Sequence, residues 1–146
     1  MPTLFIIRGL PGSGKSTVAR KIAHVAGIEH VEADMYFMKS NEYHFDPKQL
    51  GAAHRWCFET VAQCINRGED VVVSNTFTKL WEMQNYILKA FCNDYNIRVI
   101  QCNGKWDNVH NVPQDKLDQM RDRFEDNSTI ATKYTPDENI HFEYHP

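Results

Sequence analysis

Short, continuous apolar runs along this chain are separated by longer stretches in which apolar residues recur every three or four positions. The continuous runs predict four buried strands, at residues 3–8, 28–33, 70–75 and 97–102. In the third run the valines are consecutive, which is typical of a strand that is covered on both faces of a sheet. The longer stretches predict helices between these strands.

Residues that favour helix termini indicate where these helices begin and end. The first helix ends before Gly27, and the second begins at Asp46 and ends at Gly68. Thr78 can cap the third helix, and Pro113 begins the fourth. The chain therefore alternates strand and helix.

This alternation predicts an α/β fold, in which a central parallel sheet of four to five strands has helices on both faces. After residue 126 the chain is mostly polar, but Ile140, Phe142 and Tyr144 alternate with polar residues, which predicts a closing edge strand. We expect residues 1–126 to form the domain and residues 127–146 to form a tail packed on it. Functional side chains should lie at the carboxyl ends of the strands.

A glycine-rich segment between the first strand and the first helix has the clearest chemical role. Residues 9–17 match the pattern G-x-x-x-x-G-K-[ST] in its required strand–turn–helix context. Glycines let backbone N–H groups turn toward a phosphate at φ > 0, and the following helix points its positive end at the same place. Lys15 should reach the β- and γ-phosphoryl oxygens, and the Ser16 hydroxyl should ligate Mg²⁺. A nucleoside triphosphate is therefore expected to contact Gly9, Pro11, Gly12, Ser13, Gly14, Lys15, Ser16 and Thr17.

Composition and charge disfavour several other classes. The chain has 146 residues and a net charge of −3, so contact with nucleic acid would need a local basic groove. The four cysteines form no C-x-x-C pair, and Cys57 and Cys64 lie on one face of a predicted helix, as core thiols do. No apolar run approaches the length of a membrane span, and the N-terminus has the pattern of a strand rather than of a signal peptide. We expect a reduced, cytoplasmic protein.

Three groups should meet the phosphate loop at the carboxyl edge of the sheet: Asp34, the turn Ser74-Asn75-Thr76, and the segment after Cys102. Asp34 follows the second strand, where a carboxylate could take the proton from an attacking hydroxyl. An aspartate at this place could also cap a helix or lie in a solvated loop. The residues alone leave these alternatives open.

Together with the phosphate loop, the segment Glu32-Ala33-Asp34-Met35-Tyr36 resembles the P-loop kinase domain of polynucleotide 5′-hydroxyl kinases and their stand-alone relatives in phages and eukaryotes. Zeta-toxin-like P-loop kinases are similar more distantly. The resemblance spans roughly residues 3–125, which makes it far more specific than the loop alone. Its further motifs are Tyr43-His44-Phe45-Asp46-Pro47, Ala53-His54-Arg55-Trp56, Asn75-Thr76, Trp81-Glu82-Met83, Val109-His110-Asn111-Val112-Pro113 and Met120-Arg121-Asp122-Arg123-Phe124-Glu125.

The resemblance implies a three-layer P-loop NTPase fold of the kinase type, with ATP as phosphoryl donor and Mg²⁺ as the metal. It implies that Lys15 and Asp34 are catalytic, because the family's matching aspartate is the general base that activates the acceptor hydroxyl. It also implies a lid, formed here by residues 104–112 and by the helix that Pro113 begins.

The chain departs from the family pattern at the end of its third strand. Many relatives have an aspartate there that holds Mg²⁺ through water, whereas this strand ends in Ser74-Asn75. The expected metal ligands are Ser16, Asp34 and Asn75, but the amide oxygen of Asn75 has no charge, so metal binding should be weaker or should depend on Ser16 and Asp34.

A second departure concerns cations. Lids of phosphoryl-transfer enzymes usually present arginine to the developing charge, but residues 106–114 contain no Arg or Lys. Arg121 and Arg123 after the lid are therefore the candidate ATP contacts. On the acceptor side, the candidate substrate contacts are Asp34, Lys39 and Arg55, although Arg55 could equally be a solvated helix residue.

The leading hypothesis is an ATP-dependent kinase that transfers the γ-phosphoryl group to a hydroxyl, with the 5′-hydroxyl of DNA or RNA or a nucleoside-like hydroxyl as acceptor. One alternative is a small-molecule hydroxyl kinase of the zeta-toxin or antibiotic-phosphotransferase kind. Another is a nucleotide-binding regulatory module in which transfer is weak or lost, as the two departures would allow.

Overall fold

Parallel strands flanked by helices make up the structure, a computed structural model that describes residues 1–105, 112–135 and 137–146. A short 3₁₀ helix at Ala33–Phe37 precedes a small hairpin, and another at Pro47–Gln49 precedes the helix Leu50–Asn66. In the described ranges, no helix is long and apolar enough to cross a membrane. The elements are β1 (Thr3–Arg8), α1 (Lys15–Ala26), β2 (Glu29–Val31), β3 (Met38–Lys39), β4 (Glu42–Tyr43), α2 (Leu50–Asn66), β5 (Val71–Asn75), α3 (Leu80–Phe91), β6 (Asn96–Cys102), α4 (Gln114–Arg123), α5 (Asn127–Ala131) and β7 (Ile140–His145).

The central sheet has five strands in the order β2-β5-β1-β6-β7, and these strands pair in parallel. Strand β1 lies in the middle, where Leu4 pairs with Val71 on one side and with Ile97 on the other. Every residue of β5 is buried, as expected for consecutive valines covered on both faces. The predicted α/β fold with a parallel sheet is confirmed, and β7 forms where the edge strand was predicted.

Alternate side chains of the strands enter two separate cores. Ile6 of β1 packs in the core that contains Cys57 of α2 and Met83 of α3. Ile7 lies on the opposite side, with Ala19 of α1. Helices therefore cover both faces of the sheet, and the carboxyl ends of the strands are left to form a site.

Between β2 and α2 the chain forms more regular structure than its pattern predicts. Strand β2 ends at Val31, and the next residues form the 3₁₀ helix Ala33–Phe37 and the β3–β4 hairpin. The Phe37 ring contacts the rings of Tyr43 and Phe45, at centroid distances of 6.2 and 5.1 Å. Such a cluster has neither the period of a strand nor that of a helix, so the hydrophobic pattern gives no signal for it.

Helix α3 begins without the predicted Thr78 cap. Its N-cap residue is Lys79, and the N–H of Leu80 donates to the Glu125 carboxylate at 2.8 Å. The Thr78 hydroxyl donates to Glu82 instead. The prediction was wrong because a residue much later in the chain satisfies this helix terminus.

Arg8, the last residue of β1, is fully buried. Its guanidinium donates to the Phe77 carbonyl at 2.7 and 3.0 Å and to Asn127 Oδ1 at 2.9 Å, and it lies 4.2 Å from the Phe124 ring centroid. Burial lowers the pKa of Arg8 to about 10, so the side chain remains charged at neutral pH. These contacts attach the residues after α4 to the end of β1, directly before Gly9.

Residues 106–111 of the predicted lid lie outside the described residues. Before it, the Gly104 N–H donates to the Ser13 carbonyl at 3.1 Å, so the chain leaves the sheet in contact with the phosphate loop. After it, α4 begins directly after Pro113, as predicted.

Candidate active site

The residues between β1 and α1 form the phosphate loop. Gly12 and Gly14 have φ values of 80° and 90°, the left-handed conformation for which glycine was predicted. Gly14 is the N-cap of α1, and no side chain caps this helix. The first N–H groups of α1 are therefore available to an anion, which the positive end of the helix dipole also favours.

Gly9 is needed for a reason other than the predicted one. Positive φ values occur at Gly12 and Gly14 of this loop but not at Gly9. A Cβ atom at Gly9 would lie 2.2 Å from Ser13 Oγ and 2.9 Å from the carbonyl oxygen of Cys102. The absence of a side chain therefore lets the loop approach the end of β6.

Ser13 provides an independent indication of a ligand. The residue is 5% exposed, and its hydroxyl has no hydrogen-bond partner in the part of the chain that the structure describes. Because a buried polar group without a partner destabilises the fold, such a group usually meets water or a ligand. An unpartnered hydroxyl, glycines with positive φ and an uncapped helix terminus together suit a phosphate group.

Lys15, the first residue of α1, lies near both carboxylates that follow β2. Burial lowers the pKa of its ammonium group, and the charges of Glu32 and Asp34 raise it. The structure thus brings Lys15 and Asp34, both predicted as catalytic, into one electrostatic environment. Ser16, the next residue on α1, joins them through Glu32.

Glu32 is a site residue that the sequence reasoning did not assign. Its Oε1 atom accepts hydrogen bonds from the hydroxyls of Ser16 and Ser74, both at 2.6 Å, and lies 3.3 Å from His30 Nε2. Burial would raise the pKa of Glu32, but hydrogen bonds from His30, Ser16 and Ser74 lower it to about 2. The available signal was its position, at the end of a strand and two residues before Asp34.

Asp34 lies inside the 3₁₀ helix Ala33–Phe37, whose N-cap residue is Glu32. Asp34 is therefore not the N-cap of this helix, which was one of the alternatives left open. Its Oδ1 atom accepts a hydrogen bond from the Tyr43 hydroxyl at 3.2 Å. The half-buried carboxylate thus lies between Lys15 and the aromatic hairpin.

Asn75 connects the end of β5 to the 3₁₀ helix that follows β2. Its Oδ1 accepts a hydrogen bond from the Ala33 N–H at 3.0 Å, and its Nδ2 lies 3.6 Å from Cys57 Sγ. This hydrogen bond attaches the segment that carries Asp34 to the end of β5. The predicted role of Asn75 as a metal ligand stays a prediction.

The predicted cationic contacts lie on other elements. Lys39 is exposed on the hairpin, and Arg55 is exposed on α2. On α4, the Arg121 guanidinium lies 3.5 Å from Asp118, whereas Arg123 Nε donates to the Thr78 hydroxyl at 3.1 Å. The contact to Thr78 attaches the end of α4 to the segment that follows β5.

The oxygen atoms of this site fit a magnesium ion that is bound mainly by a nucleotide. Within residues 1–105, 112–135 and 137–146, no cluster of three or more His, Cys, Asp or Glu side chains could hold a metal. Mg²⁺ in nucleotide sites needs only one or two protein oxygens, because phosphates and water supply the others. The Ser16 hydroxyl and the Glu32 carboxylate are hard oxygen ligands of this kind.

A family model described as AAA domain, AAA_33, matches residues 4–111 of the chain. The match contains the phosphate loop and both carboxylates. Two curated proteins are similar over most of the chain. NEDD4-binding protein 2 of Homo sapiens is 28% identical over 134 residues, which are 84% of this chain and 8% of the human protein. Uncharacterized protein PM0531 of Pasteurella multocida is 27% identical over 134 residues, which are 82% of this chain and 75% of that protein.

Solved structures have the same fold. Kti12 of Chaetomium thermophilum, in complex with ADP-AlF3, has a TM-score of 0.63 at 14% identity. The match covers 95% of this chain and 87% of the Kti12 chain. A gluconokinase of Sinorhizobium meliloti has a TM-score of 0.60 at 17% identity, covering 99% of this chain and 85% of its own. The Pnkp1/Rnl/Hen1 complex has a TM-score of 0.54 at 23% identity, covering 81% of this chain and 38% of its own. The fold is therefore that of a P-loop, kinase-like domain.

Proposed function

The chain belongs to the AAA_33 family of AAA domains, and we propose that it is an ATP-dependent phosphotransferase with a hydroxyl as acceptor. The observation that supports this most directly is the shared environment of Lys15 and Asp34. A lysine next to phosphate-binding glycines can neutralise charge on the donor, and a carboxylate beside it can accept a proton from the acceptor.

In the proposed reaction, the acceptor oxygen forms a bond to the γ-phosphorus of ATP. The bond between that phosphorus and the oxygen bridging to the β-phosphate breaks, so ADP leaves. The proton of the acceptor hydroxyl goes to Asp34, and Lys15 and the N–H groups of the loop stabilise the phosphoryl oxygens. Ser16 and Glu32 would hold Mg²⁺, which when bound neutralises phosphate charge.

We propose the 5′-hydroxyl of a polynucleotide, or a nucleoside-like hydroxyl, as the acceptor. The side chains next to Asp34 support this choice. Tyr43 and Phe45 are 45% and 49% exposed, and their rings lie 11° from parallel with centroids 6.3 Å apart. A nucleobase can stack on such rings, and the Tyr43 hydroxyl contacts Asp34 directly. The acceptor hydroxyl of a stacked terminal nucleotide would then lie near the general base.

A small-molecule hydroxyl is the second candidate acceptor. The net charge of −3 and the acidic Glu42, which is paired with Lys39 in the hairpin, provide little attraction for a polyanion. The charge near Asp34 therefore suits a small-molecule acceptor as well as the end of a polynucleotide. Binding of a polynucleotide should depend only gently on salt, with a slope of log K against log salt of about −2.

The test is phosphoryl transfer from γ-labelled ATP to a panel of acceptors, with products separated by thin-layer chromatography. The panel contains 5′-hydroxyl oligonucleotides, nucleosides and sugar alcohols. With the accepted substrate, Asp34→Asn should slow single-turnover transfer by about 10² to 10⁴, since an amide cannot take a proton at neutral pH. ADP binding and the melting temperature should stay near those of the wild type.

Asp94→Asn is the matched control, because Asp94 is an exposed turn residue with φ 58° that asparagine also tolerates. It should transfer phosphate at the wild-type rate. Transfer by Asp34→Asn at that same rate would remove Asp34 from the mechanism. ADP binding without transfer to any acceptor would favour a regulatory nucleotide-binding module.

A further inference from the structure

The β5 end of the site has no carboxylate, although a nucleotide-bound metal usually has one from this strand in P-loop proteins. The last residues of β5 are Ser74 and Asn75, and the Asn75 oxygen accepts a hydrogen bond from a backbone N–H. The carboxylate nearest to the Ser16 hydroxyl comes instead from the end of β2. It is Glu32, whose Oε1 lies 2.6 Å from Ser16 Oγ.

The hydrogen bonds of Glu32 leave one of its oxygens for a ligand. The Ser16 and Ser74 hydroxyls both donate to Oε1, and His30 Nε2 lies 3.3 Å from the same atom. Among the described residues, no hydrogen bond is made to Oε2. The Ser16 hydroxyl donates a hydrogen bond to Glu32, and the lone pairs of its oxygen stay available, so this oxygen can ligate a metal at the same time.

The charged side chains around Glu32 also favour a bound cation beside it. The Glu32 side chain is only 15% exposed, so water screens its carboxylate poorly. Two basic side chains lie near it: Lys15, which also lies near Asp34, and His30, whose Nε2 is 3.3 Å from Oε1. If Lys15 turns to the phosphates of a nucleotide, a divalent cation beside Glu32 would compensate the loss of its charge from this carboxylate.

We propose that Glu32 supplies the carboxylate of the divalent-cation site, in place of a carboxylate at the end of β5, and that Ser74 is a positioning residue that holds it there. The inference rests on the proposed nucleotide site. Mg²⁺ prefers hard oxygen ligands and keeps water and phosphate in its remaining positions. One carboxylate oxygen and one hydroxyl are a sufficient protein contribution.

The experiment measures metal dependence of ADP binding by titration calorimetry, without any phosphoryl transfer. For wild-type protein, MgCl₂ should strengthen ADP binding relative to EDTA. In Glu32→Gln this strengthening should fall by about tenfold or more. ADP binding in EDTA should be unchanged or tighter, because a negative charge near the phosphates is gone. Glu29→Gln, an exposed glutamate at the start of the same strand, is the matched control and should behave as wild type.

A relocation variant keeps the inference testable if Glu32→Gln folds poorly. Because Ser74 Oγ lies 2.6 Å from Glu32 Oε1, an aspartate at position 74 can reach the same space. The double variant Glu32→Ser with Ser74→Asp should regain part of the magnesium dependence that Glu32→Ser alone loses. Mn²⁺ binding to the ADP complex, measured by electron paramagnetic resonance, should weaken in Glu32→Ser and recover in part in the double variant.

The possible results separate the inference from the function on which it rests. Full magnesium dependence in Glu32→Gln would overturn the role of Glu32 while leaving the nucleotide site intact. An equal loss of ADP affinity with and without metal would overturn it also, because that pattern belongs to a structural residue. Wild-type protein that binds no ADP in either condition would overturn the proposed function and the inference together.

Discussion

Substitution of Gly9 by alanine tests why the phosphate loop has glycine at its first position. The structure indicates that a side chain there would collide with Ser13 and Cys102, whereas the backbone conformation of Gly9 does not require glycine. The new Cβ would lie 2.2 Å from Ser13 Oγ and 2.9 Å from the Cys102 carbonyl oxygen. The serine side chain can rotate away from the first contact. The carbonyl belongs to the backbone of β6 and can move only if the strand or the loop moves.

The magnitude follows from this difference. Overpacking by one methyl group in a well-packed site costs about 1–3 kcal/mol. If the loop moves rather than β6, the N–H groups and the Ser13 hydroxyl lose their positions around a phosphate. We therefore expect Gly9→Ala to lower the free energy of unfolding by about 1–3 kcal/mol. We expect ADP affinity to fall roughly tenfold or more, since 1.4 kcal/mol corresponds to a factor of ten.

Gly51→Ala is the matched control. A Cβ at Gly51 would meet no atom within 4 Å, and the residue lies in helix α2. Alanine at this position should raise the free energy of unfolding by about 0.5–1 kcal/mol and leave ADP binding unchanged. Urea denaturation and titration calorimetry measure both quantities. If Gly9→Ala matched wild type in stability and in ADP affinity, the contact argument for this loop would be wrong.

Three further predictions concern other parts of the structure. Asn127→Ala should destabilise the fold by about 1.5–3 kcal/mol in urea denaturation, because the fully buried, charged Arg8 loses one of its hydrogen-bond acceptors; an unchanged free energy of unfolding would contradict this. Tyr43→Ala and Phe45→Ala should each raise KM for an oligonucleotide acceptor about tenfold but not for a sugar alcohol, and equal effects would exclude stacking. Finally, the pKa of Glu32 lies at about 2, below its ordinary 4.5, so its contribution to stability is present above pH 4.5 and lost toward pH 2. The stability difference between wild type and Glu32→Gln should therefore shrink over this range in acid titrations, and a constant difference would contradict the assigned hydrogen bonds.

Local sequence patterns predicted the parts of the fold that depend on local physics. Consecutive valines can be stable only where both faces of a strand are covered, and β5 is buried along its whole length. The motif before Lys15 specifies positive φ at Gly12 and Gly14 because other residues adopt that conformation at a cost. Both inferences need only the residues themselves and their neighbours in the chain.

Contacts between distant segments could not be predicted in this way. At the start of α3, the N–H of Leu80 donates to Glu125, which lies 45 residues later in the chain. The reason for Gly9 depends on the Cys102 carbonyl, and the role of Glu32 depends on Ser74. No periodicity or spacing encodes these pairs, because they arise only when the strand order β2-β5-β1-β6 brings the segments together.

The two carboxylates after β2 differ in a way that supports the different roles proposed for them. Hydrogen bonds from two hydroxyls and from His30 stabilise the ionised form of Glu32 and hold its pKa at about 2. A carboxylate that holds its charge so strongly is a poor acceptor for a proton at neutral pH, but it is well suited to a cation. Asp34 is half-buried and accepts a hydrogen bond from Tyr43, on whose partly exposed ring we propose that the acceptor stacks. Neighbouring acids with different surroundings commonly divide charge stabilisation and proton transfer between them. On this argument Glu32 cannot replace Asp34 as the base, so loss of Asp34 should not be compensated by its neighbour.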